Sequence, residues 1–226
     1  MTRLPLSVLL SFNGGYVDTA GFLALQGLFT AHVTGNFVTL GATLVTGGSD
    51  ALPKLLALPV FCLVILIARI AALLLQKAER PVLKFLLAAK VILLFAAAIF
   101  SVAHGPFSTA TTIANLVMGM TLVSAMAIQN ALHRVHLAKS PPSTLMTGTT
   151  TQIMLDLGEI MVGQKGESSA LALTRVKRMS VAVAAFAFGC ACAALATATI
   201  PLWAFVIPAV VGALSFAARI ATPEGD

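Results

Sequence analysis

The chain has 226 residues, of which 58% are apolar and only 10% are charged, and its mean hydropathy is +0.98. This composition leaves too few polar residues to cover the surface of a soluble domain. It indicates an all-α polytopic membrane protein, with residues 1–226 forming a single membrane domain. The net charge of +6 would suit nucleic-acid binding in a soluble protein. Here the basic residues flank apolar stretches, so membrane topology explains them and no nucleic-acid partner is expected.

Six apolar stretches are long enough to cross a bilayer, which requires about 20 helical residues. Lysine and arginine gather at alternate ends of these stretches, for example between Lys77 and Lys84, at Lys139, and between Arg175 and Arg178. Such a bias marks the cytoplasmic side, so both termini are expected to be cytoplasmic. The predicted spans are 4–25, 52–75, 82–103, 108–132, 179–200 and 202–220.

The first span contains the polar run Asn13-Gly14-Gly15, and the carboxylate of Asp18 follows three residues later. A charged side chain near the bilayer centre costs at least about 2.5 kcal/mol, and such residues usually face a bundle interior or a watery cavity. The glycine pair is expected to loosen the helix and free backbone groups for a ligand. Asp18 is therefore predicted to bind substrate or to carry a coupling proton or cation, with a purely structural role as the alternative.

Two further segments, 29–46 and 143–162, are apolar but rich in threonine and amide side chains. If the first of them crossed the membrane, the basic residues after Lys77 would fall outside, against the charge bias. Both segments are therefore predicted to be re-entrant or half-buried helices, which are tolerated where protein or a water-filled cavity satisfies their polar groups. Asp156 and Glu159, in the second segment, are expected to pair with nearby basic residues.

These features predict an internal repeat. Thr34-Gly35-Asn36 opens the first re-entrant segment, and Thr147-Gly148-Thr149 opens the second. Each half, 1–107 and 108–226, then reads as span, re-entrant helix, span, span. Three crossings per half is an odd number, so the halves form a 3+3 inverted repeat, an arrangement common in secondary transporters. A further glycine follows each Thr-Gly turn, Gly41 in the first half and Gly158 in the second. Gly158 lies farther from its turn than Gly41 does, by about one helical turn.

Pseudo-symmetry places Gln129 and Asn130 of the fourth span opposite Asp18, near the midplane. The two helix starts after the Thr-Gly turns are expected to aim free amide groups at the same cavity, which suits an anionic or strongly polar ligand. Hydrogen bonding between helices is the alternative for the threonine and asparagine side chains, and helix capping is the alternative to a gating or proton-carrying role for His32. The predicted substrate-binding residues are Asn13, Gly14, Gly15, Asp18, His32, Thr34, Gly35, Asn36, Gln129, Asn130, Thr147, Gly148 and Thr149.

Several of these runs resemble a known family. They are Gly15-Tyr16-Val17-Asp18, the stretch from Phe29 to Asn36 containing His-Val-Thr-Gly-Asn, Ala127-Ile128-Gln129-Asn130-Ala131, and Met146-Thr147-Gly148-Thr149. Together they resemble the YoaK family of bacterial membrane proteins, grouped as DUF1275. The resemblance covers nearly the whole chain and implies a six-span protein of the bacterial inner membrane with a role in transport. Thr149 stands where the first half has Asn36, so the second half has no equivalent amide.

The leading functional hypothesis is a secondary transporter or permease for a small polar or anionic metabolite, with alternating access about a central site. Its expected partners are the lipid bilayer, the substrate and a coupling proton or cation, and a homo-oligomer is left open. A non-catalytic membrane partner or assembly protein is the alternative, and an intramembrane enzyme a weaker one, because no nucleophile and base pair is evident. No cofactor or metal is expected, since the cysteines lie in apolar spans and His133 and His136 suit the interface. Arg69 and Lys90 are expected to snorkel towards the cytoplasmic boundary.

Overall fold

The structure, a computed structural model, describes residues 5–48, 51–107, 112–162 and 167–220, with no side-chain description at 167 and 168. All regular secondary structure in these ranges is helical, which confirms the predicted all-α class. The helices in these ranges are α1 (Leu6–Ala24), α2 (Gly35–Thr46), α3 (Ala51–Lys77), α4 (Val82–His104), α5 (Ile113–His136), α6 (Met146–Met161), α7 (Glu167–Thr199) and α8 (Val206–Ile220).

Among the described residues, four helices are long and apolar enough to cross a membrane: α3, α4, α5 and residues Ser169–Thr199 of α7. The helix α8 is apolar but shorter, and α1 has 19 residues. On α3, the side chains of Leu63, Leu66 and Ile67 are each more than half exposed, as expected for a lipid-facing surface. Each predicted span overlaps a helix, although residues 4 and 108–111 lie outside the described ranges. The chain is thus of the helical membrane type, while a count of six crossings stays a prediction.

The fifth predicted span, 179–200, forms only the later part of α7, which begins at Glu167. The basic residues between Arg175 and Arg178, which flank the predicted span, are therefore part of the same helix. Arg175 on this extension donates two hydrogen bonds to Asp156 of α6, from Nε at 2.6 Å and from Nη2 at 2.5 Å. This bidentate pair ties the start of α7 to α6 and confirms that Asp156 pairs with a basic residue.

The helix α1 is the most buried part of the fold, and small residues let its neighbours approach closely. A Cβ atom added at Gly15 would overlap the carbonyl oxygen of Phe186 on α7, and one added at Gly189 would overlap that of Phe12. The sequence suggested that Gly14 and Gly15 loosen this helix, but that expectation is wrong, because α1 is helical without interruption from Leu6 to Ala24. Both glycines allow close packing instead.

The helices α1 and α5 contact each other and run in opposite directions. Near one end Gln129 of α5 donates a hydrogen bond to the carbonyl of Leu10, and near the other Gly119 lies against Leu25 and Leu28, just beyond α1. Residue numbers thus rise along one helix and fall along the other. This orientation agrees with two crossings, α3 and α4, between the two helices, and thus with three crossings in the predicted first half.

The contacts between helices come in matched pairs if α1, α2, α3 and α4 correspond to α5, α6, α7 and α8. The contact of α1 with α7 corresponds to that of α5 with α3, and that of α2 with α3 to that of α6 with α7. The contact of α1 with α8 likewise corresponds to that of α5 with α4. In the described ranges the contact of α3 with α4 has no counterpart between α7 and α8. The inverted repeat and its two halves stay predictions that agree with this pattern.

Lys90 on α4 departs from its expected position. Its side chain is fully buried, and its Nζ has no hydrogen-bond partner among the described residues. Lys90 lies one turn from Leu87, in a cluster with Leu10 and Ile128, and one turn from Leu94, in the main apolar core. The expectation that Lys90 snorkels is therefore wrong, because neighbouring helices cover the whole length of the side chain.

Candidate functional site

Asp18 fixes the chain segment that follows α1. Its Oδ1 accepts the backbone N–H groups of Thr30 at 2.8 Å and Ala31 at 2.7 Å, and its Oδ2 lies 2.6 Å from Nδ1 of His32. An ionised carboxylate only accepts hydrogen bonds, so Nδ1 of His32 is the donor. Asp18 itself is only 5% exposed. Residues 25–34 therefore double back alongside α1, and the carboxylate predicted as a site residue anchors this return.

Asn36 closes the same loop from the first turn of α2. Its side chain donates from Nδ2 to the carbonyl of Phe29 at 2.8 Å and accepts the Phe29 N–H at Oδ1 at 2.9 Å. This reciprocal pair matches the donor and acceptor of one peptide group, so it holds the loop as a backbone pairing would. Asn36 is buried, and its amide serves the loop rather than the open side of α2.

The first amide groups of α2 are also occupied. The N–H groups of Gly35, Asn36 and Phe37 donate to the carbonyls of His32, Val33 and Thr34 at 2.7, 3.2 and 3.2 Å. The expectation that this helix start aims free amides at a ligand is therefore wrong for these three residues. A tightened first turn satisfies them locally.

The segment after α5 returns in the same manner. Gln129 donates from Nε2 to the Leu10 carbonyl at 2.9 Å and to Oγ of Ser143 at 3.0 Å. Oδ1 of Asn130 accepts a hydrogen bond from Oγ1 of Thr144 at 2.8 Å. Both of these helix-to-loop contacts join residues 14 positions apart, the same separation as Asp18 and His32.

The other predicted site residues of α1 serve packing. Asn13 donates to the carbonyl of Pro208 on α8 at 3.1 Å. A Cβ atom at Gly14 would lie 2.6 Å from the carbonyl oxygen of Ser143 and 3.4 Å from Nε2 of Gln129. Gly14 therefore leaves room for residues 137–145, the second return segment, residues 25–34 being the first. Gly14 and Gln129 are thus neighbours, but Asp18 makes its own contacts with the first return segment.

The second Thr-Gly turn differs from the first in its surroundings. The helix α6 begins at Met146, so Thr147 and Gly148 lie within its first turn, where both are exposed. Thr149 is buried, and its hydroxyl donates to the Leu145 carbonyl at 3.1 Å. A Cβ atom at Gly148 would meet nothing within 4 Å, whereas one at Gly35 would lie 3.0 Å from the ring of Phe29.

A cavity of about 370 Å³, here called the central cavity, lies between the first return segment, α3 and α5. Three predicted site residues line it, namely His32, Thr34 and Asn130. The remaining polar lining consists of Arg69 and Arg134, which the sequence analysis did not include in the site. The rest of the wall is mostly apolar. It comprises Ala31, Val33, Phe61, Ile65, Ala68, Ala72, Leu86, Ala131, Val135 and Leu145.

The charge lining this cavity is positive. Arg69 and Arg134 contribute permanent cations, His32 contributes a polar ring, and no carboxylate belongs to the described lining. Arg69 lies within an otherwise apolar stretch of α3, which is the sequence signal that could have identified it. Because Asp18 engages Nδ1 of His32, Nε2 is the ring nitrogen left to contact a bound group. Such a wall suits a small anion with an apolar part.

Metal ligands are not gathered in this region. Over residues 5–48, 51–107, 112–162 and 167–220, no three His, Cys, Asp or Glu side chains are grouped so that they could hold a metal ion. The cysteines Cys62, Cys190 and Cys192 are free thiols. Cys190 donates to the carbonyl of Gly15 at 3.4 Å, within the contact of α1 with α7.

Comparison with known proteins gives one match. A family model described as "Protein of unknown function (DUF1275)" matches residues 6–218, nearly the whole chain. No curated protein and no solved structure matches the chain.

Proposed function

Because the chain belongs to the DUF1275 family, whose description assigns no activity, we propose a function from the central cavity itself: a membrane transporter, not an enzyme, for a small anionic metabolite. One observation carries the proposal. Two arginines, a histidine, a threonine and an asparagine line a cavity whose remaining wall is apolar, among helices of the membrane-spanning type. Positive side chains beside an apolar wall suit a small anion, and a cavity between helices is a common place for a ligand to bind.

The proposed topology has six crossings, with α2 and α6 as re-entrant helices and both termini in the cytoplasm of a bacterium. Its support comes from the opposite directions of α1 and α5 and from the two return segments anchored by Asp18 and by Gln129 with Asn130. The basic turn after Lys77 and the basic start of α7 then lie on the cytoplasmic side, as the charge bias requires. The cavity lies where the two proposed halves meet, since His32 belongs to the first half and Asn130 to the second.

In the proposed mechanism, the arginines neutralise the anion while the apolar wall contacts its carbon atoms. His32 contacts the ligand through Nε2, and Asp18 holds its ring in place without reaching the cavity. Asp18 is thus a positioning residue for substrate, and proton coupling through the Asp18 carboxylate passes by way of His32. Rocking of the two halves exposes the cavity to each side in turn.

The test is binding followed by uptake. The purified protein is screened against small carboxylates, phosphates and sulfates for a rise in melting temperature, because a ligand of the folded state stabilises it. Anions found in this screen are then tested for uptake into proteoliposomes. His32→Gln and Arg134→Gln are expected to reduce both binding and uptake at least about tenfold, the effect of losing one charge-assisted contact of about 1.4 kcal/mol.

Lys177→Gln is the matched control, since Lys177 is an exposed cation on α7 outside the cavity. This variant should keep full uptake. If no anion both binds and enters the vesicles, or if His32→Gln and Arg134→Gln transport as well as Lys177→Gln, the transporter proposal is wrong.

A further inference from the structure

A second cavity lies at one end of the helix bundle and is larger than the central one. Its volume is about 680 Å³, and it is formed by the end of α3, the turn to α4, the start of α4, and the ends of α5 and α8. It shares Arg69, Ala72 and Val135 with the central cavity. Arg80, Lys84 and Arg219 line the second cavity alone. These three residues distinguish the two cavities experimentally.

The lining of this cavity is strongly basic. Arg69, Arg80, Lys84 and Arg219 give four permanent cations, against the single carboxylate of Glu79 among the lining residues that the structure describes. The cations come from three places in the chain, namely Arg69 on α3, Arg80 and Lys84 around the turn to α4, and Arg219 on α8, so folding brings them together. Arg69 and Arg219 both lie close enough to His136 for their charges to act on its imidazole. Like charges repel, and such a gathering favours an anion that spans several of them.

A rigid turn holds part of this lining in place. Glu79 has a positive φ of 53°, and the N–H of Arg80 donates to the Leu75 carbonyl at 2.9 Å, which ends α3 abruptly. Pro81 then precedes α4, and the N–H of Lys84 donates to its carbonyl at 3.1 Å. Arg80 and Lys84 are thus attached to an ordered backbone.

We propose that this basic cavity binds a phosphate-bearing anion. Phosphate offers several oxygen atoms and up to two negative charges, and guanidinium groups bind it through paired hydrogen bonds. Under the topology proposed above, the cavity faces the cytoplasmic leaflet, where basic pockets between helices bind anionic lipid headgroups. The ligand is a free phosphate compound or the headgroup of an anionic phospholipid, and the site does not depend on transport.

The experiment measures the melting temperature of the purified full-length protein with two probes. One is inorganic phosphate added to protein in detergent, and the other is phosphatidylglycerol mixed into phosphatidylcholine nanodiscs. At saturating probe, wild-type protein should melt at least about 3 °C higher than without it. Arg80→Gln combined with Lys84→Gln should abolish the shift.

The control combines Lys77→Gln with Lys177→Gln, which removes the same charge from exposed positions outside the cavity. A shift with inorganic phosphate that the control retains and the cavity variant loses identifies a soluble phosphate ligand. A shift with phosphatidylglycerol alone, lost in the same way, identifies a lipid headgroup. If neither probe shifts wild-type protein, or if both double variants respond alike, the cavity is not a phosphate site. Loss of anion uptake in His32→Gln tests the transporter separately, because His32 does not line this cavity.

Discussion

At the scale of single residues, Asp18 anchors the first return segment, while its part in substrate binding or coupling stays a prediction. Its oxygens hold the backbone of Thr30 and Ala31 and the ring of His32, and Ala31 and His32 both line the central cavity. Its importance could be predicted because a carboxylate in an apolar helix requires partners. Its partners could not, because they depend on how far residues 25–34 return along α1. For Lys90 the prediction was wrong. Its position in α4 suggested that the side chain reaches the boundary, whereas its burial depends on neighbouring helices that the sequence does not place.

The first prediction concerns the contact of Asp18 with His32. In Asp18→Asn, one oxygen still accepts the backbone amides, but the amide nitrogen faces another donor at Nδ1 of His32. We expect a loss of about 1–3 kcal/mol in the free energy of unfolding and a melting temperature lower by about 2–4 °C per kcal/mol. Proton-coupled uptake should also be lost, because asparagine does not titrate.

The measurement is a double-mutant cycle with His32→Gln, in which the stability of each variant is determined by thermal unfolding in detergent. Coupling of at least about 0.5 kcal/mol is expected between the two positions. Additive effects of the two substitutions, or uptake in Asp18→Asn that keeps its dependence on pH, would contradict this role for Asp18.

The second prediction concerns Lys90. Its buried ammonium nitrogen has no hydrogen-bond partner among the residues described, so Lys90→Met keeps the length of the side chain and removes a polar group from the core. We expect an increase of about 1–3 kcal/mol in unfolding free energy. Lys77→Met, at an exposed position, should change it by less than about 0.5 kcal/mol. Thermal unfolding of both variants provides the check, and a less stable Lys90→Met protein would show that Lys90 forms a stabilising contact.

At the scale of helices, small residues decide which elements meet. Gly15 was expected to bind a ligand, but in the structure both Gly15 and Gly189 bring α1 and α7 into backbone contact. The re-entrant segments 29–46 and 143–162 were predicted from their polarity. In the structure each contains the end of a return segment followed by a helix, α2 in the first and α6 in the second. Which amides stay free could not be predicted, since the first turn of α2 bonds to its own loop.

The third prediction compares two glycines in helices. Gly189→Ala adds a Cβ atom that overlaps the carbonyl oxygen of Phe12, so α1 and α7 must separate. We expect a loss of about 3 kcal/mol or more, because overpacking against a backbone atom is poorly relieved. Gly148→Ala adds the same atom in open space and should be neutral or stabilising by up to about 1 kcal/mol. Melting temperatures and membrane yields are compared, and equal losses in the two variants would show that this packing does not limit stability.

At the scale of the whole molecule, the six apolar stretches and their helical character could be predicted, because the composition and the charge bias act over the full chain. The central cavity was predicted only in part. His32, Thr34 and Asn130 line it, whereas Arg69 and Arg134 belong to it because α3 and α5 pack against each other beside the return segment. Such a meeting depends on helix rotation, which a hydropathy pattern does not define.

The fourth prediction tests the topology. In a background with alanine at Cys62, Cys190 and Cys192, single cysteines at Gly48 and His104 should react with an impermeant thiol reagent added to intact cells. Cysteines at Lys77 and Lys139 should react only after the membrane is opened. All four positions are exposed in the structure, so a failure to react reflects the side of the membrane. Labelling of Lys139→Cys from outside would contradict six crossings with cytoplasmic termini.

The separation in sequence between hydrogen-bond partners implies an order of assembly during synthesis. Asp18 lies 12 residues from Thr30 and 14 residues from His32, so these contacts close a short loop at a low cost in chain entropy. Tyr16 and Asn13 must wait 188 and 195 residues for the carbonyls of Ala204 and Pro208. We therefore expect the carboxylate of α1 to pair with its own return segment before the tyrosine and asparagine of α1 bind Ala204 and Pro208.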